Sequence, residues 1–102
     1  MVTFTARLRI VEGKEKEALE FIQYMASEVE KSEPGTLTYI FHRLVENPLE
    51  ILVFEVYQDE AAEEVHMHTP HFQKLVGAIG TVLDSGCGVK VEYLERLAGF
   101  SR

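Results

Sequence analysis

The sequence has few of the residues that stabilise secreted miniproteins or bind nucleic acids. Its single cysteine, Cys87, cannot form a disulfide within the chain, and a lone thiol is typical of a reducing compartment. Only 10 residues are Lys or Arg, against 17 Asp or Glu, so the formal net charge is −7. A phosphate backbone is bound by clustered basic residues, and we therefore expect no nucleic-acid partner.

Long apolar segments are also missing. No stretch approaches the roughly 20 apolar residues that a membrane-spanning helix requires, and residues 1–11 alternate apolar and polar side chains instead of forming a signal peptide. We predict a cytoplasmic protein with no membrane partner. Apolar residues make up 46% of the sequence and charged residues 26%, which is ordinary for a globular protein, and 102 residues form one domain.

The first half of the chain has the periodicities of a strand, a helix and a hairpin. Apolar residues alternate over residues 2–10, which predicts a strand with one buried face. From Lys14 they recur at spacings of three and four, which predicts an amphipathic helix that Pro34-Gly35 ends. Residues 36–45 and 49–57 are rich in β-branched and aromatic residues and flank a turn signal at 46–48, so they predict a hairpin.

The second half has the signals of two helical segments and a strand. Asp59 is the predicted cap of a short helix over 60–68, and Thr69-Pro70 starts a second helix whose apolar stripe extends to Leu83. A last strand is predicted over 89–97, followed by a loose tail at 98–102. The order β-α-β-β-α-β is the ferredoxin-like α+β arrangement, an antiparallel sheet of four strands with helices on one face.

The two hairpin strands carry apolar side chains on both faces, so this chain's helices cover only one of them. The alternation separates Leu37, Tyr39 and Phe41 from Ile40 and Leu44. We expect the open face of the sheet to pack against a second copy of the chain, giving a homodimer.

Several motifs together resemble the antibiotic biosynthesis monooxygenase (ABM) domain family. They are Glu33-Pro34-Gly35, then Tyr39 and His42, then Phe54-Glu55-x-Tyr57, and finally His66-x-x-Thr69-Pro70-His71-Phe72. The resemblance covers nearly the whole chain and is nearest the quinol monooxygenase and autoinducer-2 branches. It implies a dimeric α+β barrel, with a cavity in each subunit between the helices and the sheet and the opposite sheet faces packed together across the dimer.

The departures from the family narrow the chemistry that the resemblance implies. The position of the iron-ligating histidine of haem-degrading relatives falls at Val76, and that of their pocket asparagine falls near Ala6, so we expect no haem and no other cofactor. The tryptophan and asparagine of the polyketide oxygenases fall at Tyr57 and Val53, although their strand-two histidine matches His42. A phosphorylated substrate would need a cation in the cavity, and the nearby candidates, Lys31, Arg43 and Lys74, are not clearly inward.

The candidate site follows from what oxygen insertion into a phenol or quinol requires. A base must remove a proton so that the anion can pass an electron to O2, and the pocket must be dry. His66 is the candidate base, because its spacing from Ala62 turns it toward the sheet, and Glu55 and Tyr57 complete the catalytic candidates. Glu55 is either the partner of His66 or a surface residue, and if it shares the inner face with Val53 and Tyr57, burial would raise its pKa and hold a neutral or bridging acid. The predicted substrate-binding residues are Tyr39, Phe41, Phe21, Val53, His71 and Phe72.

Each of these residues also has a purely structural interpretation. His66 could be a core residue bonded to backbone, His71 could serve only the helix break, and His68 is expected in solvent. The histidine cluster lacks a facing pair of ligands from another element, so we predict no metal site. The alternatives to a monooxygenase are an isomerase that shifts a proton next to the carbonyl of a small signal metabolite, and a non-catalytic ligand-binding dimer.

Overall fold

The elements form in the predicted ferredoxin-like order, with the last strand in two pieces. The structure is a computed structural model that describes residues 1–84 and 89–102. Within these residues the elements are β1 (Val2–Ile10), α1 (Glu15–Ser32), β2 (Thr36–Leu44), β3 (Asn47–Tyr57), α2 (Glu60–Met67), α3 (Pro70–Ala78), β4 (Leu83–Asp84) and β5 (Lys90–Leu94). The prediction of an α+β ferredoxin-like fold is confirmed.

All pairings between the strands are antiparallel, and β1 lies in the middle of the sheet. One edge of β1 pairs with β3 from Val2 opposite Tyr57 to Arg9 opposite Glu50, and β3 pairs in turn with β2. The other edge of β1 is shared, because β5 pairs with residues 3–7 and β4 pairs with Arg9 and Ile10. The end of β3 therefore lies next to the start of β1, and the start of β2 lies on the other side of that end of β3.

The core lies between one face of this sheet and the helices. Of the predicted inward residues of β1, Val2 is half-buried and Phe4, Ala6, Leu8 and Ile10 are buried. From α1, Ala18, Met25 and Val29 are buried too. From β3 they are joined by Ile51, Val53 and Tyr57. The alternating apolar residues of the strands and the apolar stripe of the helix thus line the two sides of one apolar layer.

Three predicted boundaries are wrong. The hairpin turn lies at Val45 and Glu46, because Leu44 pairs with Asn47, so that Asn47 and Pro48 belong to β3. The last helix ends at Ala78 instead of continuing to Leu83, since the chain turns at Gly80, whose φ of 96° favours glycine. The last strand, β5, ends at Leu94 rather than at residue 97, and the segment that joins it to β4 includes residues outside the described ranges.

A substitution of Leu83 tests the corrected end of α3, because this residue is fully buried and lies on β4. We expect Leu83→Ala to lower the free energy of unfolding by about 2–5 kcal/mol, since it removes buried methyl groups and leaves a cavity. The control is Leu97→Ala, at a side chain that is 87% exposed, where we expect a change within about 0.5 kcal/mol. Chemical denaturation measures both, and equal effects would contradict this placement of Leu83.

Candidate functional site

A cavity of about 290 Å³ lies between the sheet and the helices α2 and α3. Six of the predicted site residues line it: Tyr39, Phe41, Val53, Glu55, His66 and Phe72. Most of the remaining lining is apolar and comes from β1, α3 and β5. The cavity is at the small end of the range for ligand sites, which suits a molecule of one or two rings.

Three of the predicted residues do not line this cavity. Phe21 packs against Tyr24, with ring centroids 5.9 Å apart, and contacts the core. Tyr57 is fully buried beneath the cavity. His71 is buried too, and its contacts are with Glu33.

The residue that sequence reasoning missed is Glu33, a buried carboxylate at the end of α1. It is only 3% exposed. Both of its oxygens face His66 Nδ1, at 2.9 and 3.0 Å, and Oε2 also lies within a short hydrogen bond of His71 Nε2. The carboxylate partner of His66 is therefore Glu33 and not Glu55. Glu55 is buried, so it is not a surface residue either, and the remaining prediction, that it shares the inner face, is the one that the structure matches.

Local sequence explains how Glu33 reaches this position. It precedes Pro34, and the residue before a proline is pushed out of the helical region, so α1 ends and Glu33 takes a non-helical conformation with φ of −124° and ψ of 78°. Gly35 then allows the chain to pass close to α2, because a Cβ at this position would lie 2.7 Å from the Cβ of Ala62. Thr36 Oγ1 donates a hydrogen bond of 2.8 Å to Glu33 Oε1.

The break between α2 and α3 brings the two histidines to the same carboxylate. Asp59 caps α2 by accepting from the amide of Ala62 at 2.9 Å, and Thr69 caps α3 by accepting from the amide of Phe72 at 3.1 Å. Thr69 Oγ1 also donates to the carbonyl of His66 at 2.8 Å. In a continuous helix, residues five apart face different directions. The capped break reorients the chain, so that His66 and His71 both reach Glu33.

His68 is the histidine that remains outside this cluster. It is exposed, its Nδ1 lies 2.9 Å from the carbonyl oxygen of Glu64, and it is not among the residues that line the cavity. It therefore offers a matched control for substitutions of the buried histidines.

His66 has the environment of a neutral imidazole. Burial lowers its pKa, and this outweighs the neighbouring carboxylate of Glu33, which acts in the opposite direction. The rings of Tyr39 and Phe72 lie 5.3 and 5.2 Å from the His66 ring. A buried, uncharged imidazole on the wall of an apolar cavity is a competent proton acceptor.

Glu55 is the second carboxylate at the cavity, and its hydrogen-bond partner is Tyr57. The Tyr57 hydroxyl donates to Glu55 Oε1 at 2.6 Å. Burial raises the pKa of Glu55 to about 7, although the hydrogen bond from Tyr57 acts against this. Burial also raises the pKa of Tyr39 and of Tyr57. Near neutral pH the two phenols are therefore hydrogen-bond donors, and Glu55 changes charge in this range.

Glu33, His66 and His71 have the donor types of a metal site, and their candidate atoms lie within 4.8 Å of one another. The sequence predicted no facing pair of ligands from another element, and the structure places one such residue, Glu33 from the end of α1, opposite the two histidines. The candidate ligand atoms of these three residues are engaged in hydrogen bonds within the cluster. We describe it as a hydrogen-bonded triad, and call these three residues the buried triad below.

The fold and the site together define a class: a ferredoxin-like α+β protein in which a buried histidine lines an apolar cavity. The sequence pattern of the antibiotic biosynthesis monooxygenase family matches residues 1–78. The chain therefore belongs to this family, as the motifs predicted. Separately, no helix among its described residues has the length and apolar character needed to cross a membrane.

Two solved structures share this fold, and one sequence relative is similar to the chain. Protein PA3566 of Pseudomonas aeruginosa has 25% identity and a TM-score of 0.81, with 95% of this chain and 94% of that chain covered. Rv0793 of Mycobacterium tuberculosis has the same fold, with 22% identity, a TM-score of 0.82 and 98% of each chain covered. The uncharacterized Synechocystis protein sll1783 is 26% identical over 90 residues, which are 88% of this chain and 60% of the relative's length.

Glu55 predicts a specific dependence of stability on pH. Its pKa is raised from 4.5 to about 7 in the folded state, so between these values the folded protein keeps a proton that the unfolded chain has released. The contribution of Glu55 to the free energy of unfolding therefore falls as the pH rises through this window, by about 3 kcal/mol in total, and levels off above it.

The measurement is chemical denaturation of the native protein and of Glu55→Gln between pH 4 and 8. Glutamine has a similar shape and does not titrate, so the difference between the two proteins isolates Glu55 from the histidines. We expect the native protein to lose stability relative to the variant as the pH rises. A difference that is constant across this range would refute the assignment.

Proposed function

We propose that the protein is a monooxygenase that oxidises a small, electron-rich hydroxyaromatic or quinol-like molecule with O2 and without a cofactor. The observation that carries the proposal is the position of His66, which is 4% exposed, lines the cavity and is held through Nδ1 by Glu33. Membership of a monooxygenase family supports the reaction class. Fold alone would not, since one fold serves many activities.

The reaction requires a base more than any other protein group. His66 removes the proton of the substrate hydroxyl, and the resulting anion transfers an electron to O2. The two radicals join through a ring carbon that carries hydrogen, giving a hydroperoxide, and loss of water leaves a carbonyl at that carbon. The substrate supplies all four electrons that reduce O2 to the new carbonyl oxygen and water, so no other reductant enters.

The other cavity residues orient the substrate and exclude water. Tyr39 lies beside His66 and donates to a substrate oxygen, and the protonated form of Glu55 is a second donor, supported from below by Tyr57. Phe41, Val53 and Phe72 form apolar walls. A dry cavity favours electron transfer to O2, because water would otherwise stabilise the anion of the substrate.

The main alternative is an isomerase that moves a proton next to a carbonyl. The specific observation in its favour is that Glu55, with a pKa of about 7, lines the same cavity as His66, so that an acid and a base face one substrate. Consumption of O2 separates the two reactions. A ligand-binding dimer without turnover would neither consume O2 nor convert a carbonyl substrate.

The substitution His66→Gln tests the base. We expect it to lower the rate of O2 uptake with the best of a panel of naphthohydroquinones and benzohydroquinones by about 100-fold or more, since general-base catalysis is lost. An oxygen electrode measures the uptake, corrected for spontaneous oxidation of each quinol. The control, His68→Gln, changes an exposed histidine and should retain the native rate. Full activity of His66→Gln, or no uptake by the native protein with any of these quinols, would rule out the proposal.

We also propose that the protein works in the cytoplasm as a homodimer joined through the open face of its sheet. Ile40 on β2 is 49% exposed, and its register partner Phe54 on β3 is half-buried, as is the neighbouring Leu52. These apolar side chains point away from the core and form a continuous patch across two paired strands. A second copy of the same strands would bury them.

The substitution Ile40→Lys tests this interface. A charged side chain at the centre of an apolar contact costs several kcal/mol to bury, so we expect the variant to be monomeric where the native protein is dimeric. Analytical ultracentrifugation across a range of concentrations measures the difference. The control is Val45→Lys, which adds the same charge at the exposed hairpin turn. A native protein that sediments as a monomer would contradict the interface.

A further inference from the structure

We propose that Glu33 and His71, which lie behind the cavity wall, are positioning residues for the base: Glu33 holds His66 as the tautomer that leaves Nε2 unprotonated, and His71 holds Glu33. The inference rests on the proposed function for its role in turnover. Its structural content is independent of turnover, since it concerns which nitrogen of His66 carries the proton and which charges set its titration.

The first step concerns hydrogen-bond roles. A carboxylate only accepts, so His66 Nδ1, which lies 2.9 and 3.0 Å from the two oxygens of Glu33, must donate. In a neutral imidazole one nitrogen carries the proton and the other accepts. Among the described residues, the hydrogen bonds of His66 involve Nδ1 alone, and the ring lines the cavity. Nε2 is therefore the proton acceptor that a substrate in the cavity meets.

The second step concerns why Glu33 stays in place. A charged carboxylate that is 3% exposed is costly unless donors surround it. Glu33 has three donors from three different elements: the hydroxyl of Thr36 at the start of β2, His66 on α2 and His71 on α3. These bonds fix its orientation, and removing any one of them loosens the base.

The third step concerns electrostatics, where Glu33 and His71 act on His66 with opposite signs. Glu33 favours the protonated form of His66, whereas positive charge on His71 disfavours it. The other titratable groups that face His66 are Glu63 on its own helix, Tyr39 on β2, and Tyr57 with its partner Glu55 on β3. A role confined to stability would give no reason for substitutions of Glu33 and His71 to shift the titration of His66 in opposite directions.

The experiment is a ¹⁵N NMR titration of the histidine side chains in the full chain without substrate. Assignments come from His→Gln variants of each of the four histidines. In the native protein we expect the chemical shifts of neutral His66 to show a protonated Nδ1 and a bare Nε2. Glu33→Gln should lower the titration midpoint of His66 by about one pH unit or more, because a nearby negative charge is lost.

The matched variant is His71→Gln, which keeps a hydrogen-bond donor for Glu33 but has no titrating charge. We expect it to raise the midpoint of His66. The control, Glu64→Gln, removes an exposed carboxylate on α2 that contacts His68 and should leave His66 unchanged. Shifts of the same sign in the two triad variants, no shift, or a protonated Nε2 in the native protein would overturn the inference. If Glu33→Gln does not fold by circular dichroism, the sign measured for His71→Gln decides the question.

Oxygen uptake links the triad to turnover. We expect the acid limb of the pH profile of kcat to move with the NMR midpoint in each variant, while KM for an uncharged quinol changes less than kcat. Opposite NMR shifts without any O2 uptake would support the triad and reject the monooxygenase. Uptake that does not follow the NMR midpoints would retain the reaction and reject the positioning role.

Discussion

The arrangement of the candidate site depends on one buried carboxylate shared by two histidines. Glu33 connects the end of α1 with the two sides of the break between α2 and α3, so the ends of three helices meet at a single group. In the low dielectric of the interior, a hydrogen bond to such a group is stronger than in water, and each hydrogen bond that the group fails to make costs free energy. The position of the helix break, and with it the orientation of His66, is therefore closely constrained.

The cavity in front of this group combines two opposing environments. Its walls are mainly apolar, which favours neutral forms, and this lowers the pKa of His66 and raises that of Glu55. Behind the wall, the carboxyl group of Glu33 lies close to the imidazole and favours its protonated form. Desolvation keeps such an imidazole neutral at rest, and the carboxylate stabilises it once it has gained a proton. This pairing of a dry cavity with a carboxylate behind the histidine suits proton removal from a weakly acidic hydroxyl.

Much of the fold could be predicted because it follows from local patterns. The alternation in β1, the helical spacing in α1 and the caps Asp59 and Thr69 are short-range signals, and each is found where expected. The end of α3 was missed because the apolar stripe continues beyond Ala78 to Leu83, and periodicity alone does not tell a helix from a tight turn that leads into a strand. The available signal was Gly80, whose positive φ ends the helical path.

The residues of the candidate site also divide into those that local sequence patterns could predict and those that they could not. From the sequence, His66, Tyr39 and Phe72 could be placed toward the core, because each belongs to a periodic apolar face. Glu33 could not, although it stands in a motif that was recognised, because an acidic residue at a helix end is ordinarily solvated and its partners are 33 and 38 residues away. Glu55 had open interpretations, and its partner in the structure is Tyr57, two residues further along the same face of β3. Local sequence thus determined the elements, their order and the candidate for the base, since these depend on neighbours along the chain. Tertiary structure alone decided which carboxylate serves that base, since the pairing is made by the close passage at Gly35 and the capped break before Pro70.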